Sequence, residues 1–587
     1  MWWRKGVGLN RPFGCGGRRR HGGRLTKPIT PVNRTPVTPG KYEKYAPGFV
    51  WRPCEANCDD RWWSEVNDLK VRFSGLRSGR WPMTVSQKNV LEWISPDLPG
   101  PADILSTMVR VPRGSTMDAV GTALGALIGR QEALRTLVRD GEQFVHASGT
   151  LVAEVVEAES AGAGQGWFPP GRAFDPAADL PIRARVMTRS GSPCLVVLHV
   201  SHVAADLSAM TILRAELAAL LAGRPLPVAA YHPADQATYE RTPAGRRRLE
   251  GSVRYWARQV AEKPLCALGL PTRFPGARGH HHVLLGSRPA AEALAHIVAN
   301  TGARPAAVVM AAFAALLTNW TGDPECQLHC LCNNRFSPEL RDYVGTVAQE
   351  TIIPFTASSS FLRSVSQTNA AALAAYRYGR YDSVRLFEAK DSVERARGMR
   401  CHRDVVVNNT TGHARVILPR AGVEPGAGDR AFDAPAELDI YRLDGTLGCG
   451  LGLDARLATA DETAALLGGV ERLIVAAAAA AAADGGDGDV DPAGFGIPPA
   501  QRGPGWVRIR SCWVDLAGVQ AAADLALGPG AARIEVAGDE LVARVGHDTD
   551  VSAAAGAVVD TVLREGRHGV VAPSHYVRAA DWERSAR

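Results

Sequence analysis

The chain has 587 residues, 46% of them hydrophobic and 22% charged, with a formal charge of +7. This length allows a large core divided among two to four domains, and the balance of residue types is that of a soluble globular protein. Much of the positive charge lies in the first 46 residues, where 11 Lys/Arg face one Glu. The remainder is near neutral, so no nucleic-acid groove is implied. No run of about 18 apolar residues is expected to span a membrane, Ala476 to Ala483 being short and weakly apolar. The N-terminus also lacks a signal-peptide core, so a cytoplasmic location is expected.

Residues 1–65, with RRRHGGR and TKPITPVNRTPVTPG, have no helical or strand periodicity and are expected to form a basic, Pro-rich disordered tail. Order is expected from Leu69. LKVRFSG predicts a strand, and WPMTVSQKNVLEWI a helix with Thr84 as N-cap and Gln87 at the capping-box position. ILSTMVRVP predicts a strand and MDAVGTALGALIGRQEALRTLV one amphipathic helix. Leu180 to Thr188 predicts a strand paired with Leu195 to Val200 across the turn SGSP.

Pro193 to Gly223 is the stretch that the rest serves. Leu195 to Leu198 suit a buried strand, Ser201, His202 and Asp206 crowd a polar corner, and Leu213, Leu217 and Leu221 then recur at helical spacing until Gly223. A histidine at the mouth of a buried strand, with a carboxylate four residues on, has the ingredients of a general-base site. The plainer reading makes Asp206 a helix cap and His202 a hydrogen-bonded strand end.

Downstream, DQATYERTPAGRRRLEGSVRYWARQV predicts an exposed helix with an aromatic anchor, Tyr255 and Trp256. A second lobe follows. His280 to His282 alternate faces if extended, and ARPAAVVMAAFAALLTNWTG predicts a buried helix. The eleven cysteines read as free thiols in a reducing compartment. Cys326, His329, Cys330 and Cys332 suggest zinc only superficially, because no second ligand pair completes a tetrahedral set, and no metal is assigned. DVVVNN predicts a strand ending in amides, AELDIYRLDGTLGCGLGLDARL two strands, and TADETAALLGGVERLIVAAA a closing helix. Residues 484–505 predict a Gly/Asp/Pro linker, and 506–587 a small α+β unit ordered strand, helix, strand, strand, helix, strand.

LVVLHVSHVAADLSAM resembles the HHxxxDG segment of the condensation domains of nonribosomal peptide synthetases, in the chloramphenicol acetyltransferase-like superfamily. His202 matches the second histidine and Asp206 the aspartate, while Ser201 replaces the first histidine and Leu207 the glycine. PMTVSQ resembles the family's opening, RQEALRT (Arg130 to Thr136) its RHEaLRT segment with Gln131 for the histidine, and Asp235, Tyr255 and Trp256 its lobe-closing segment. Arg335, Val344, Gly345 and Asn408 match family positions, whereas Gln349 and Glu350 stand where Asn and Thr are usual. The C-terminal segment resembles the small subdomain of adenylation domains, through VRIRSCWVDLAGVQ and VVAPSHYV. No lysine follows Lys390 and no large adenylating lobe accompanies it, so a docking or tunnel-capping appendage is expected.

The resemblance implies an α/β fold of two chloramphenicol acetyltransferase-like lobes in a V-shaped pseudo-dimer, residues 66–260 and 261–483, plus the α+β appendage. It implies transfer of an acyl or aminoacyl thioester, carried on the phosphopantetheine of an acyl or peptidyl carrier protein, to a small-molecule or carrier-bound amine or hydroxyl. The chain itself is expected to bind no cofactor, and no nucleic acid or membrane partner is expected. His202 would accept the acceptor's proton or position the acceptor, Asp206 and Arg335 would pair to hold its loop, and Ser201, Leu207, Ser208, Gln349 and Asn408 would contact substrate. Two alternatives share these residues: a catalytically inactive module that binds or gates a carrier protein, and a coenzyme A-dependent acyltransferase.

Overall fold

The computed structural model describes residues 67–93, 104–157, 173–262, 268–413, 416–426, 434–484, 490–509 and 512–578. The expected N-terminal tail lies outside these residues. The first lobe contains β1 (Asn67–Ser74), β2 (Gly79–Pro82), α1 (Val85–Trp93), β3 (Ile104–Arg110), α2 (Met117–Arg130), β4 (Thr136–Arg139), β5 (Glu142–Val145), β6 (Ser148–Glu157), β7 (Ile182–Arg189), β8 (Ser192–Ser201) and α3 (Leu207–Leu221). Its main sheet runs β1-β6-β7-β8-β3, and β2-β5-β4 form a small second sheet. At the start of α1, Thr84 N donates to Gln87 Oε1 (2.9 Å) and Gln87 N to Thr84 Oγ1 (3.1 Å), a reciprocal capping box. β7 and β8 meet at Ser190 and Gly191, both at positive φ, the backbone that a two-residue hairpin of matching twist requires.

α2 and α3 cover one face of the main sheet, and Leu124, Leu127, Ile128, Val196, Leu198, Leu213 and Leu217 fill the space between. A Cβ at Gly125 or Gly129 would stand 2.3 Å from the carbonyl oxygens of Arg72 and Ser74, so only glycine lets α2 lie this close to β1. The long helix expected from MDAVG to LRTLV is shorter in the structure. It stops at Arg130, a 3₁₀ turn spans Glu132–Arg135, and Thr136 begins β4. The interruption lets Gln131 and Glu132 point to different partners. Gln131 Nε2 donates to both oxygens of Glu216 on α3, and Glu132 accepts from Arg77.

The expected single helix after the corner is two, α4 (Pro233–Glu240) and α5 (Pro243–Glu262), because Pro243 lacks the N–H that would continue the first. α5 packs with the second core rather than the first: Tyr255, Trp256 and Val260 are buried there, and Tyr255 OH donates to Ile352 O at 2.7 Å. The change of lobe therefore precedes α5, ahead of residue 260.

The second lobe continues with β9 (His280–Ser287), α6 (Arg288–Thr301), α7 (Pro305–Thr321), β10 (Glu325–Cys332), β11 (Gln349–Thr356), α8 (Phe361–Tyr376), α9 (Ser383–Arg397), β12 (Val405–Asn409), β13 (Gly422–Pro425), β14 (Ala436–Arg442), β15 (Leu447–Asp454) and α10 (Ala460–Asp484). Its sheet is ordered β11-β10-β12-β14-β15-β9-β13, with β10, β12 and β14 parallel neighbours. α7 is buried almost all round, as its continuous apolar sequence requires.

Among the described residues α10 alone is a single helix long and apolar enough to cross a membrane, with mean hydropathy 1.7 over its best window. The bent pair α6 and α7 would be a second candidate if taken as one span. This corrects the expectation drawn from Ala476–Ala483 alone, since α10 runs unbroken from Ala460. Half of that window is buried, and Leu466, Leu467, Val470, Leu473 and Ile474 belong to the second core.

The last unit comprises β16 (Trp506–Ile509), β17 (Cys512–Asp515), α11 (Leu516–Leu527), β18 (Ala532–Ala537), β19 (Glu540–Val545), α12 (Val551–Glu565) and β20 (His575–Arg578). WVRIRSCWVDL, expected as one strand, is an antiparallel pair, β16 and β17. The unit has its own core, yet it is tied to the second lobe. Ala572 N donates to Gly398 O (2.7 Å), Arg400 Nε to Leu563 O (2.6 Å), and Arg395 pairs with Asp560 (2.6 Å). The described part of the expected linker is not free either: Ile497 is buried in the second core and Ala500 N donates to Trp320 O.

Candidate active site

β8 delivers the chain into the polar corner and α3 carries it away. Ser201, the last residue of β8, is buried, and Val203 N donates to its Oγ at 3.4 Å. It lines a small interior cavity together with Gln87, Ala133 and Thr136. The residue in the first-histidine position thus faces the lobe's interior.

His202 is partly buried at the turn. Burial pulls its pKa below the ordinary histidine value, against the opposing effects of its own backbone and of Asp206. The imidazole is consequently neutral at pH 7, the form that can accept a proton. Another histidine, His199 on β8, is held by Ser106 Oγ at 2.8 Å.

Asp206 is both the helix cap and the ion-pair partner that the sequence left as alternatives. Its Oδ1 accepts from Ala209 N at 2.9 Å, capping α3. Its Oδ2 accepts from Arg335 Nη1 at 2.7 Å, Val347 N at 3.1 Å and Ala348 N at 3.3 Å. Burial alone would raise this carboxyl's pKa, but the Arg335 charge and the hydrogen bonds outweigh it and hold the group ionised. Arg335 also donates through Nη2 to the carbonyls of Tyr343 and Gly345. It therefore shapes the second-lobe loop that places Val344, 1% exposed, inside the first lobe's core.

Leu207 begins α3 and is 39% exposed, and Ser208 beside it is partly buried. As a residue of the first helical turn, Leu207 has no need of a left-handed backbone, so replacing glycine here introduces bulk rather than strain. Asn408 lies on β12 opposite Asp439 of β14 and is partly buried.

Gln349 is placed differently from the expectation of a substrate contact. Its Nε2 donates to Tyr381 O at 3.1 Å, and its Oε1 accepts from Tyr381 N and from Ser86 Oγ, each at 3.3 Å. The amide is engaged on both sides and joins the lobes. Glu350 is buried against Arg403, whose Nε donates to Oε1 at 2.7 Å, with His329 on its other side. Burial opposes ionisation, but Arg403 and His329 prevail and hold the carboxyl at about 2. The two unusual residues after Val344 are thus both committed to contacts within the fold.

The sequence did not point to His413. Its Nδ1 lies 2.8 Å from Thr211 Oγ1 on α3, a second bridge between lobes near the Asp206–Arg335 pair. Only the 202-residue separation hid it.

Cys326, His329, Cys330 and Cys332 share the buried strand β10 without converging on one point as a metal set. Among the described residues one trio does bring ligand atoms within 4.8 Å of each other: His402, Asp404 and His568. There His568 Nε2 lies 2.6 Å from Asp404 Oδ1, and the imidazoles stack with centroids 4.0 Å apart. Two ligands of one tetrahedral ion stand about 3.3–3.6 Å apart when each is about 2.0–2.2 Å from it. The pair is spaced for a shared proton.

The pattern of the family described as Condensation domain matches residues 102–401. Phosphinothricin tripeptide synthetase PhsC of Streptomyces viridochromogenes is 30% identical over 331 residues, which are 50% of this chain. The match spans only 30% of that relative's length. In fold, the chain is similar to the X-domain from teicoplanin biosynthesis, with a TM-score of 0.54 and 21% identity over 72% of this chain and 99% of that one. It is similar also to the X-domain in its complex with OxyB, with a TM-score of 0.52 and 22% identity over 70% of this chain and 96% of that one.

Proposed function

The chain belongs to the condensation-domain family of natural-product synthetases, whose members are typically amide- or ester-forming acyltransferases, and we propose that it catalyses such a transfer itself. The donor is an acyl or aminoacyl thioester on the phosphopantetheine of a carrier protein. The acceptor amine or hydroxyl attacks the thioester carbonyl, the C–S bond breaks, and the pantetheine thiol departs. His202 takes the acceptor's proton and returns it to the leaving sulfur, so that no covalent enzyme intermediate is needed. The observation that carries this reading is the placement of His202 on a corner held by the Asp206–Arg335 pair, where burial lowers the imidazole's pKa.

In this reading Asp206 and Arg335 are positioning residues. Leu207, Ser208 and Asn408 border the approach to His202, while Ser201 and Gln349 support it from within. An amine with a pKa of about 7.7–8.0 is partly nucleophilic at neutral pH, whereas a hydroxyl depends on the base far more. We place the reaction in the cytoplasm, the two lobes in the V-shaped pseudo-dimer of acetyltransferase-like halves, and the C-terminal unit as a docking appendage related to the adenylation subdomain. A coenzyme A thioester, the alternative donor, presents the same pantetheine thiol.

A second reading has support of its own. Ser201 and Leu207 depart from the HHxxxDG pattern, and the X-domain, similar in fold, is found in a complex with OxyB. Such a module would bind a partner without transferring an acyl group. The test is His202→Ala assayed with acyl and aminoacyl thioesters, on a carrier protein and on coenzyme A, with an amine acceptor. We expect transfer to fall ~10²- to 10⁴-fold with the melting temperature unchanged. Turnover equal to wild type would remove the base, and carrier binding without any wild-type transfer would establish the second reading.

A further inference from the structure

The second lobe has a cavity of about 630 Å³ that the acyl-transfer reading does not use. It is walled by the first turns of α7, the last turns of α8 and the ends of β10 and β12. Its volume falls in the range of about 300–1,000 Å³ typical of small-molecule sites. Alanines 306, 307 and 372 leave the space open between the two helices. Leu331, Phe336 and Leu373, exposed by 37%, 54% and 41%, converge on it. Three large apolar side chains left in water on one concave surface mark a binding patch rather than scatter.

The polar groups are one-sided. Arg304 and Arg377 are the charged residues of the lining, no carboxylate joins them, and no ion pair among the described residues involves either. Three amides join them, with Tyr376, whose hydroxyl meets Cys330 Sγ, and Cys332. Each amide has its oxygen turned to a backbone N–H. Asn333 Oδ1 accepts from Arg335 N (3.3 Å), Asn369 Oδ1 from Arg304 N (3.1 Å) and Asn409 Oδ1 from Thr411 N (3.1 Å). That orientation leaves the amide NH₂ groups for an occupant. The cavity therefore presents two guanidinium groups and three amides as donors beside an apolar wall. Two like charges on one concave surface also add their fields over the space in front.

We propose that this cavity is a binding site for a small amphiphile with an apolar body and an anionic head, a carboxylate or a phosphate. The chain's own N-terminal stretch, with 11 Lys/Arg against one Glu in 46 residues, has the wrong charge for this rim. The proposal requires binding alone and stands whether or not the chain transfers acyl groups.

Titration calorimetry on the full chain with decanoate, decyl phosphate and neutral decanol tests it. One anionic ligand per chain should bind saturably, at least tenfold more tightly than decanol and more weakly as salt is raised. The stronger of the two anions identifies the head group. The Arg304→Ala/Arg377→Ala double variant should bring the anion's affinity down to that of decanol, and Leu373→Asp should abolish anion binding. All three side chains are exposed, so the melting temperature should hold. His202→Ala should bind as wild type does, which separates this site from catalysis. No saturable binding, equal affinity for decanoate and decanol, or indifference to the double substitution would overturn the proposal.

Discussion

The two oxygens of Asp206 are divided between α3 and the second lobe, and this division decides what substitution there does. The pair with Arg335 gains Coulomb energy and hydrogen bonds but gives up hydration, so its net stability contribution is near zero. Removing one partner is another matter. Asp206→Ala should strand a guanidinium of which 7% is exposed, and Arg335→Ala a carboxylate of which 3% is exposed, each at a cost of ~3–5 kcal/mol. Denaturant melts of the two single variants and the double variant should give losses well short of additive, because either deletion destroys the shared interaction. Additive losses would mean that the two side chains act independently. Activity and stability should fall together in these variants, whereas His202→Ala should lose activity alone.

At the scale of elements, the C-terminal unit looks separable in sequence because α11, α12 and its sheet build a core of their own. Its contacts change that expectation. Truncation after Asp484 would remove Ile497 and Cys512 from the second core and His568 from the buried Asp404 carboxylate. The truncated protein should therefore melt several degrees lower than the full chain by circular dichroism, and equal melting temperatures would show the unit to be a passive attachment. The attachment should also depend on pH. Burial lowers the His568 pKa, but Asp404 more than restores it, so the folded value lies above the unfolded value of about 6.5. His402, Asp454 and Arg456 also act on this ring, and His402, pushed down to about 3 by burial, stays neutral throughout the alkaline range. The His568 contribution is complete below about pH 6.5 and is lost as pH rises through the raised value. Hydrogen-exchange protection in residues 512–578, taken relative to the intrinsic base-catalysed rate at each pH, should fall along that rise, and His568→Ala should flatten the dependence.

For the whole molecule, the lobes are joined by more than chain continuity. Val344 enters the first core, Ser86 reaches Gln349, Thr211 meets His413, and Arg335 holds Asp206. These links are expected to couple the unfolding of the two halves, although separate cores of this size can unfold independently. Calorimetry should show both lobes unfolding in one transition, and two resolved transitions would mean that the interface contributes little.

Local chemistry wrote much of this into the sequence: the Thr84–Gln87 capping box, the Ser190–Gly191 hairpin, the buried β8 and α7, and the His202 corner with its Asp206 cap. Each depends on residues within a few positions of one another, where spacing and side-chain type are enough. The sequence could not say that α5 packs on the second core, that Gln349 spends its amide on Tyr381, or that His413 touches α3. Nor could it reveal that the amides of Asn333, Asn369 and Asn409 all turn their oxygens from one cavity. The packing of α5, the Gln349 and His413 contacts and the Asn369 bond rest on pairs tens to hundreds of residues apart. The Asn333 and Asn409 oxygens are held by neighbours two residues on, yet only the fold gathers the three amides at one cavity. Even the Asp206–Arg335 pair, anticipated from resemblance, follows from no local rule. Tertiary structure gave one carboxylate both roles because only the folded chain brings α3 and the loop after β10 within 3 Å.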